Sequence, residues 1–400
     1  MAAEDRVLIA GAGPAGLSAA AFLVEAGIPV TVFEAEQSLP IDPRASTFHP
    51  PTLDMLDELG GVTEQVIEQG LIAPTWQYRD RRTGPIATFD LSILDGLTAH
   101  PYRVQTEQWK FTQILLDRLL GRGGCEVRFG EQVIGANQDG SGVSALIRFE
   151  GVQERSERGR YLIGADGAAS LVRISQGIEF QGLTFPELFL VLTTPFDFRE
   201  EIDDLSFVNY LSDPEEWLVL LRTRYFWRVL FPAPEDEEDS DLTGDSSVQR
   251  RMQSVLPRRE PYEVTHRSLY RVHQRVAERY RLGRILLAGD AAHVNNPLGG
   301  MGMNGSVHDA VNLAKKLIAI WGGADDSLLD VYERQRRTVC IEHVQAATLR
   351  NRELLRESDP ELRRERQEEW RRTAEVPEAA LAFLRNSSMI ASLERERELA

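Results

Sequence analysis

Residues 6–34 of this 400-residue chain read RVLIAGAGPAGLSAAAFLVEAGIPVTVFE, and this stretch decides the fold. Residues 6–10 predict a short, fully buried strand of a parallel sheet. Residues 14–26 are rich in alanine and leucine and predict a helix, which Gly27 ends as a C-cap. A second strand is predicted at residues 30–34. The order of strand, glycine-rich loop, helix and strand is typical of the start of a Rossmann-like α/β sheet.

Three glycines follow the first strand, the last of them in the first turn of the helix, with the spacing of a dinucleotide-binding motif. Gly11 permits the tight turn, Gly13 lets the backbone approach a pyrophosphate, and Gly16 allows close packing of helix on strand. The helix N-terminus then offers free N–H groups to the phosphates. Glu34 ends the second strand, where its carboxylate can bind both ribose hydroxyls and would repel the 2′-phosphate of NADP. The loop alone does not distinguish FAD from NAD.

A second pattern, late in the chain, distinguishes these two cofactors. Residues 285–288 predict a buried strand, and Asp290 follows it at the sheet edge where ligands bind. Its carboxylate can accept a hydrogen bond from a ribityl hydroxyl, which FAD has and NAD lacks. The glycine-rich loop 293–304 leads into a helix, and the N–H groups of residues 302–304 can stabilise negative charge on the N1/O2 edge of a flavin. The sequence therefore predicts bound FAD.

The rest of the chain combines this α/β pattern with a β-rich one. Helices are predicted at 52–59, 105–120 and 304–320, and strand-like segments at 126–149 and 161–164. Residues 185–231 are aromatic and predict an antiparallel sheet. From residue 327 the chain is almost wholly helical, with dense Arg and Glu.

The predicted fold class is therefore α/β, with a Rossmann-like FAD-binding domain on a mainly parallel sheet, an inserted antiparallel-sheet substrate domain and a C-terminal helical segment. The predicted boundaries assign 1–74, 101–180 and 276–325 to the FAD-binding domain, 75–100 and 181–275 to the substrate domain, and 326–400 to the C-terminal helices.

Three motifs in a fixed order carry a family resemblance. They are residues 11–16 with Glu34, residues 166–173 (DGAASLVR), and residues 289–293 (GDAAH) with Pro297. From about residue 5 to 345 the chain resembles the class A flavoprotein monooxygenases, the aromatic-ring hydroxylases typified by para-hydroxybenzoate hydroxylase. The resemblance implies that NADH or NADPH reduces the FAD. It further implies that dioxygen then hydroxylates an aromatic, phenolic substrate through a flavin C4a-hydroperoxide. The preference between NADH and NADPH stays open.

The resemblance also implies FAD contacts that residue type alone does not reveal. Arg44 would meet the FAD, Gln105 the ribityl or phosphate region, and Val133 the adenine; on position alone, Arg44 is equally a surface arginine. Asp166 would reach the FAD region and Arg173 would stabilise its segment, whereas without the resemblance they belong to a turn and a helix surface. The predicted cofactor-binding residues are Gly11, Gly13, Pro14, Ala15, Gly16, Glu34, Ala35, Arg44, Gln105, Val133, Asp166, Asp290, Pro297, Gly300, Gly302, Met303 and Asn304.

On the substrate side, the resemblance implies that the carbonyl of Pro297 orients a substrate hydroxyl. His49 or His293 could relay a proton, although packing or helix capping would explain either residue. Polar and aromatic residues alternate along the strands of the second domain, so half of them should face the pocket, and an arginine there would suit a carboxylate substrate. The predicted substrate-binding residues are Tyr210, Arg222 and Arg224.

The composition limits the partners. The formal net charge of −17 argues against a nucleic-acid surface and against adhesion to anionic lipid. No apolar stretch approaches the roughly 20 residues of a membrane span, and no charged leader precedes the first strand. Cys125 and Cys340 cannot form a CxxC pair, so a cytoplasmic location is expected. We predict a small aromatic substrate, dioxygen and no metal; a homodimer is compatible with the sequence.

Other activities of the same fold stay open at this point. They are a flavin-dependent halogenase, a reductase or oxidase, and a non-catalytic FAD-binding sensor. A halogenase should contain a WxWxIP segment, whereas residues 227–232 read WRVLFP and lack the second tryptophan. The charged C-terminal helices from Tyr332 onward would suit a docking surface in a sensor, or helices that pack back on the sheet.

Overall fold

The computed structural model describes residues 5–43, 45–234, 236–355, 357 and 359–399. The strands of these residues in chain order are β1 (Val7–Ala10), β2 (Val30–Glu34), β3 (Thr47–Phe48), β4 (Leu71–Ala73), β5 (Thr75–Asp80), β6 (Gly84–Asp90), β7 (Arg103–Gln105), β8 (Cys125–Phe129), β9 (Glu131–Gln138), β10 (Val143–Phe149), β11 (Gln153–Gly159), β12 (Tyr161–Gly164), β13 (Phe180–Thr194), β14 (Val208–Ser212), β15 (Leu218–Arg222), β16 (Trp227–Ala233), β17 (His266–Ala277), β18 (Arg281–Leu282), β19 (Ile285–Leu287) and β20 (His293–Val294).

The helices are α1 (Pro14–Glu25), α2 (Pro50–Asp57), α3 (Val62–Glu68), α4 (Gln108–Arg122), α5 (Leu171–Ser175), α6 (Asp239–Thr243), α7 (Asp245–Val255), α8 (Gly302–Trp321), α9 (Leu328–Val339), α10 (Ala346–Leu355), α11 (Pro360–Glu375), α12 (Pro377–Ser387) and α13 (Ile390–Glu398). Short 3-10 helices lie at Leu91–Leu94, Phe198–Glu200 and Gly289–Ala291, and a π-helical segment, Cys340–Gln345, connects α9 to α10.

A six-stranded sheet in the order β18-β19-β12-β1-β2-β8 forms the centre of the first domain. β1 pairs in parallel with both β12 and β2, and only β18 runs antiparallel to its neighbour. All four residues of β1 are buried, as expected for a strand covered on both faces. α1 is buried along most of its length and packs against α8 and α4. The predicted Rossmann-like, mainly parallel sheet is confirmed.

Two small sheets extend this domain. β9, β10 and β11 form an antiparallel sheet that leads into β12. β3, β7 and β4 form the other, in which Gln105 of β7 pairs with Thr47 on one side and Leu71 on the other. The predicted helix at 105–120 therefore begins later, at Gln108, because strand pairing on both sides holds Gln105 in an extended conformation.

An eight-stranded sheet in the order β20-β17-β13-β16-β15-β14-β5-β6 forms the second domain. Its neighbouring strands are antiparallel except β14 and β5, which pair in parallel, so the predicted antiparallel sheet is in fact mixed. β5 and β14 come from separate segments of the chain, and no hairpin turn forces them to be antiparallel. β5 and β6 lie within the predicted segment 75–100, and β13 to β17 cover nearly the same residues as the predicted segment 181–275.

The C-terminal helices pack against the eight-stranded sheet and return to the first domain. Trp370 of α11 stacks on Tyr78 of β5, with ring centroids 5.1 Å apart, and lies edge-on to Phe383 of α12. α13 ends beside α9, where Glu396 accepts a hydrogen bond from Arg336. Among the helices of the described residues, none combines the length and the apolar character that crossing a bilayer requires.

Candidate active site

The glycine loop after β1 is closed on two sides and open on the third. A Cβ atom on Gly11 (φ +95°) would lie 2.4 Å from the carbonyl oxygen of Ala165, and one on Gly16 would lie 2.0 Å from the carbonyl oxygen of Gly11. Both positions therefore require glycine. A Cβ on Gly13 would meet nothing within 4 Å. The open side of the loop thus lies at Gly13, at the N-terminus of α1, where a pyrophosphate is predicted.

Glu34 is held beside this loop at the end of β2. Its carboxylate accepts hydrogen bonds from the backbone N–H groups of Ala12 at 2.7 Å and Glu36 at 3.0 Å, and Ala35 lies between the two acidic residues in sequence. α1 begins with Pro14, and it has neither a side-chain cap nor an acidic residue in its first turn. The first turn of α1 therefore supplies no anion or cap of its own to the positive end of the helix dipole, which leaves its N–H groups to a phosphate.

The segment from Asp166 to Arg173 is held in place by side-chain hydrogen bonds. The Asp166 carboxylate accepts a hydrogen bond from the Ser170 hydroxyl at 2.5 Å and another from a backbone N–H of α5, and burial raises its pKa. Arg173 is buried and donates to the carbonyl of Ala291 at 2.8 Å and to a carbonyl of its own segment. Arg173 thus joins the second motif to the third, the stabilising role that the family resemblance implies for it.

The third motif packs directly against the first. Gly289 has φ +62°, and a Cβ there would lie 2.9 Å from the Cβ of Ala15 in α1 and 3.0 Å from the hydroxyl of Ser306 in α8. Asp290 follows β19 and is exposed, at the carboxyl edge of the parallel sheet. The contacts among the three motifs bring Gly13, Glu34 and Asp290 to one edge of the sheet.

The N-terminus of α8 is a second open helix end. The helix has neither a side-chain cap nor an acidic residue in its first turn, so the N–H groups of its first residues lack an intrahelical acceptor. A Cβ on Gly302 would meet nothing within 4 Å, whereas Met303 is buried. This open end is where the flavin edge is predicted to bind.

Asn304 fixes the loop that precedes this helix. Its amide nitrogen donates to the carbonyls of Thr47 and Gly300, and its oxygen accepts from the backbone N–H of His49. The Pro297 carbonyl, predicted to orient the substrate, accepts a hydrogen bond from the Gly300 N–H at 3.0 Å and keeps one lone pair for another donor. The side chain of Asn304 therefore braces the loop from within, and only its backbone N–H stays available for a flavin.

The structure describes two of the three other predicted FAD contacts. Gln105 is buried, and its oxygen accepts from the Thr47 hydroxyl at 3.0 Å, but its Nε2 has no partner in the described part of the chain. Val133 is buried in β9. Arg44 lies outside the described residues.

FAD fits these residues. Two uncapped helix ends suit the pyrophosphate and the electron-rich flavin edge, two glycines without neighbours leave space for close approach, and the amide of Gln105 is a buried donor without an acceptor. An unpaired buried donor is costly unless a ligand satisfies it. The individual contacts to FAD stay predictions.

Polar side chains of both domains meet at Gly299, in the loop that leads into α8. His49 Nε2 lies 2.9 Å from the Gly299 carbonyl oxygen, which can only accept, so this nitrogen carries the proton and Nδ1 has a free lone pair. Nδ1 is buried without a partner among the described residues. Burial and the nearby Arg103 guanidinium lower the pKa of His49 well below its ordinary value. His49 is therefore neutral, and its Nδ1 can accept a hydrogen bond.

Tyr210, predicted on the substrate side, also reaches this loop. Its hydroxyl interacts with the Gly299 backbone and the Arg103 guanidinium; burial raises its pKa although both partners oppose the change. Its ring lies edge-on to Trp76, with centroids 5.7 Å apart. Tyr210 and His49 thus contact the same glycine from two different domains.

The two predicted arginines lie elsewhere. Because β14 and β15 pair Tyr210 with Val219, side chains of alternate residues place Arg222 on the opposite face of the sheet from Tyr210. Arg222 forms an ion pair with Asp197 at 3.4 Å, and Arg224 is exposed and donates to the carbonyl of Glu68.

Sequence reasoning missed Arg103 and Trp76. Arg103 is only 3% exposed and lies over the Trp76 ring, 5.5 Å from its centroid. Arg103 precedes Gln105 by two residues, outside the predicted helix, and this spacing was the available signal that the two side chains share one face of a strand.

A buried network of charges supports the third motif from behind. The Asp309 carboxylate in α8 accepts from the Gly289 N–H at 3.0 Å, from His293 at 2.8 Å and from Arg336 at 2.7 Å. Burial alone would lower the pKa of His293, but the Cys340 sulfur and the Asp309 carboxylate raise it well above its ordinary value. His293 is therefore a charged structural partner of Asp309, and this pairing does not suit the role of proton relay.

Comparisons with known proteins agree with this geometry. The chain matches the model of an FAD-binding domain over residues 4–347. It is 36% identical over 366 residues to a para-nitrophenol 4-monooxygenase of Pseudomonas sp. strain WBC-3, covering 89% of this chain and 88% of that one. It is 35% identical over 352 residues to 6-hydroxy-3-succinoylpyridine 3-monooxygenase of Pseudomonas putida strain S16, covering 86% of this chain and 87% of the relative. The crystal structure of p-nitrophenol 4-monooxygenase from Pseudomonas putida DLL-E4 superposes with a TM-score of 0.91 at 30% identity, covering 99% of both chains.

Proposed function

The chain belongs to the FAD-dependent aromatic hydroxylases of the para-hydroxybenzoate hydroxylase type, and we propose that it hydroxylates a one-ring phenol in the cleft between α8 and the eight-stranded sheet. The observation that carries this proposal is the shared contact at Gly299. His49 and Tyr210 both contact Gly299, in the loop that leads into the open N-terminus of α8. Their polar groups therefore lie beside the position where the flavin edge is predicted to bind.

Bound FAD supplies the redox chemistry, taking electrons from NADH or NADPH and using dioxygen to deliver one oxygen atom. The residues of the chain have three other tasks. The loop at Gly299 orients the ring of the phenol, the neutral His49 accepts a hydrogen bond from its hydroxyl at Nδ1, and the Tyr210 hydroxyl and the Arg103 guanidinium favour its ionised oxygen. An ionised phenol is more electron-rich and reacts faster with an electrophilic oxygen.

The aromatic side chains around the cleft support the exclusion of water. Trp76, Phe89, Trp370 and Phe383 form one cluster in which each ring lies within 6.2 Å of the others. A dry cleft limits the unproductive release of hydrogen peroxide.

The relatives named above are monooxygenases that act on a nitrophenol and a hydroxypyridine by name, which favours hydroxylation over the halogenase, reductase, oxidase and sensor alternatives. The substrate of this chain is accordingly proposed to be a small aromatic hydroxyl compound. A cytoplasmic location and a homodimer belong to the same proposal, and sedimentation analysis tests the dimer.

The test is oxidation of NADH and NADPH by the FAD-loaded protein with a panel of one-ring phenols, with hydrogen peroxide measured in the same reactions. We expect one class of phenol to stimulate oxidation strongly, with little peroxide. Absence of oxidation with every phenol, while FAD stays bound, would refute the proposal.

Tyr210→Phe refines this test because it removes only the hydroxyl and keeps the ring against Trp76. We expect product formed per NAD(P)H consumed to fall roughly 2- to 10-fold, the effect of one lost hydrogen bond. Tyr225→Phe is the matched control, since Tyr225 is an exposed tyrosine of the same domain.

A further inference from the structure

Arg103 is a buried cation for which the described residues supply no carboxylate. Its guanidinium interacts with the Tyr210 hydroxyl and donates to the Ser387 carbonyl at 3.4 Å, and its Nε has no partner in those residues. Buried arginines are ordinarily paired with an anion, because an unpaired buried charge is strongly destabilising. The missing anion is therefore expected from a ligand.

The second component is the corner between α12 and α13, residues 387–389. Met389 has φ +65° and turns the chain between the two helices. The hydroxyls of Ser387 and Ser388 are both buried, and neither has a hydrogen-bond partner within the described ranges. The nearby Ser392 hydroxyl, by contrast, donates to the Met389 carbonyl at 2.7 Å. Two unsatisfied hydroxyls thus lie next to the carbonyl that Arg103 contacts.

Two contacts, besides that of Arg103 with Ser387, attach this corner to the predicted active site. Met389 packs in one apolar cluster with Met301, the residue that precedes α8. Phe383, one helical turn before Ser387, lies 5.7 Å from Trp76, whose indole Nε1 is also buried without a partner in the described chain. The corner, the loop before α8 and the Arg103–Trp76 pair are therefore connected by direct contacts.

The unpaired buried polar atoms of this corner and of the Arg103–Trp76 pair are mainly donors. The Nε of Arg103 and the indole nitrogen of Trp76 can only donate, and both serine hydroxyls can donate. We propose that Arg103 with the hydroxyls of Ser387 and Ser388 forms a binding subsite for an anionic or strongly accepting oxygen of the substrate. This inference rests on the proposed function, and it assigns to the C-terminal helices a direct part in substrate recognition.

Two parts of one substrate could supply this oxygen. One is the ionised hydroxyl of the phenol, and the other is a nitro or carboxylate group elsewhere on the ring. The chemistry recognised is the same, a negatively polarised oxygen between a guanidinium and two hydroxyls. Binding of separate probes distinguishes the two sources.

The experiment measures dissociation constants of the FAD-loaded protein by equilibrium dialysis with 4-nitrophenol, 4-methylphenol and nitrobenzene. We expect Arg103→Met to weaken 4-nitrophenol binding by roughly 10- to 150-fold and Ser388→Ala by roughly 2- to 10-fold, as for loss of a charged and a neutral hydrogen bond. Arg385→Met is the matched control: it breaks the partly exposed ion pair with Glu394 at the same corner and should change binding less than 2-fold.

The probes identify the oxygen. If it is the phenolate, 4-methylphenol binding falls with 4-nitrophenol binding in Arg103→Met, nitrobenzene binding is unchanged, and bound 4-nitrophenol shows its phenolate absorbance below its solution pKa only in the unsubstituted protein. If it is a substituent, nitrobenzene binding falls and 4-methylphenol binding stays. Either pattern supports the subsite.

Equal weakening of all three probes would mean that Arg103 and Ser388 only hold the corner together, and unchanged binding of all three would mean that they face no ligand. Both results overturn the inference while turnover of phenols upholds the proposed function. Conversely, selective binding without turnover of any phenol would refute the proposed function and keep the subsite.

Discussion

Replacement of Arg336 by Met should be among the most destabilising single changes in this protein. Arg336 is 1% exposed; its Nε donates to Asp309 at 2.7 Å and its Nη1 to Glu396 at 2.6 Å. Methionine keeps the apolar stem of the side chain but removes the charge. The change leaves the Asp309 carboxylate in the core with His293 as its remaining cationic partner.

The magnitude follows from two independent estimates. Two hydrogen bonds between charged groups contribute about 1.5–3 kcal/mol each, or about 3–6 kcal/mol together. Removing one partner of a buried ion pair costs about 3–5 kcal/mol. The side chain of Glu396 is 16% exposed and regains some hydration, which favours the lower part of the first range. We therefore expect the free energy of unfolding to fall by about 3–5 kcal/mol.

Urea unfolding of the FAD-loaded protein, followed by tryptophan fluorescence and circular dichroism at one fixed FAD concentration, measures this loss. Arg334→Met is the matched control: Arg334 is on the same helix but exposed, and within the described part of the chain it donates only to the carbonyl of Leu399. We expect the control to change the free energy of unfolding by less than about 0.5 kcal/mol. A loss in Arg336→Met within 1 kcal/mol of that control would refute the reasoning.

Three further outcomes are expected. Gly16→Ala should abolish FAD retention, measured as the ratio of flavin to protein absorbance, because its Cβ would lie 2.0 Å from the Gly11 carbonyl oxygen; Gly140→Ala, with nothing within 4 Å, should retain FAD. Glu34→Gln should weaken FAD binding to the apoprotein by roughly 10- to 150-fold through the lost charge on a ribose-binding group, and an unchanged dissociation constant in flavin fluorescence titration would contradict the assignment. The pKa of His293 is raised in the folded protein, so its contribution to stability is complete below about pH 6.5 and is lost as the pH rises through the folded pKa. The difference in free energy of unfolding between wild type and His293→Gln should therefore shrink as the pH rises over that interval. A difference that grows with pH would contradict the raised pKa.

The FAD side of the site was predictable because its constraints are local in sequence. Gly11 and Gly16 are required by backbone contacts within one strand–loop–helix unit, and the acid at position 34 closes the same unit. Even here, non-local pairing overrode a local pattern. Gln105 lies in a segment with helical periodicity, but pairing of β7 with β3 and β4 holds it in a strand.

The substrate side could not be predicted in the same way, because it depends on register and on contacts between distant segments. Tyr210 and Arg222 look equivalent in sequence, and only the pairing of β14 with β15 separates them onto opposite faces. Arg103 reaches Tyr210 through the packing of two domains, and it meets Ser387 across 284 residues of sequence. Side-chain alternation gives two possible faces, but it does not say which one a pocket occupies.

The division between predictable and unpredictable residues has a physical consequence for specificity. FAD binding is predicted to need backbone N–H groups and glycines, and Gly11 and Gly16 tolerate little variation because a Cβ at either position would collide with a neighbouring carbonyl. Substrate binding is proposed to need side chains on β7, β14 and the corner after α12, where a change of residue alters hydrogen bonding without displacing the backbone of the FAD site. The corner nevertheless stays coupled to that site, because Glu396 of α13 contacts Arg336, and Arg336 contacts the carboxylate that holds the Gly289 N–H. Substitutions at the corner can therefore alter substrate preference independently of FAD only while the Glu396–Arg336–Asp309 connection is kept.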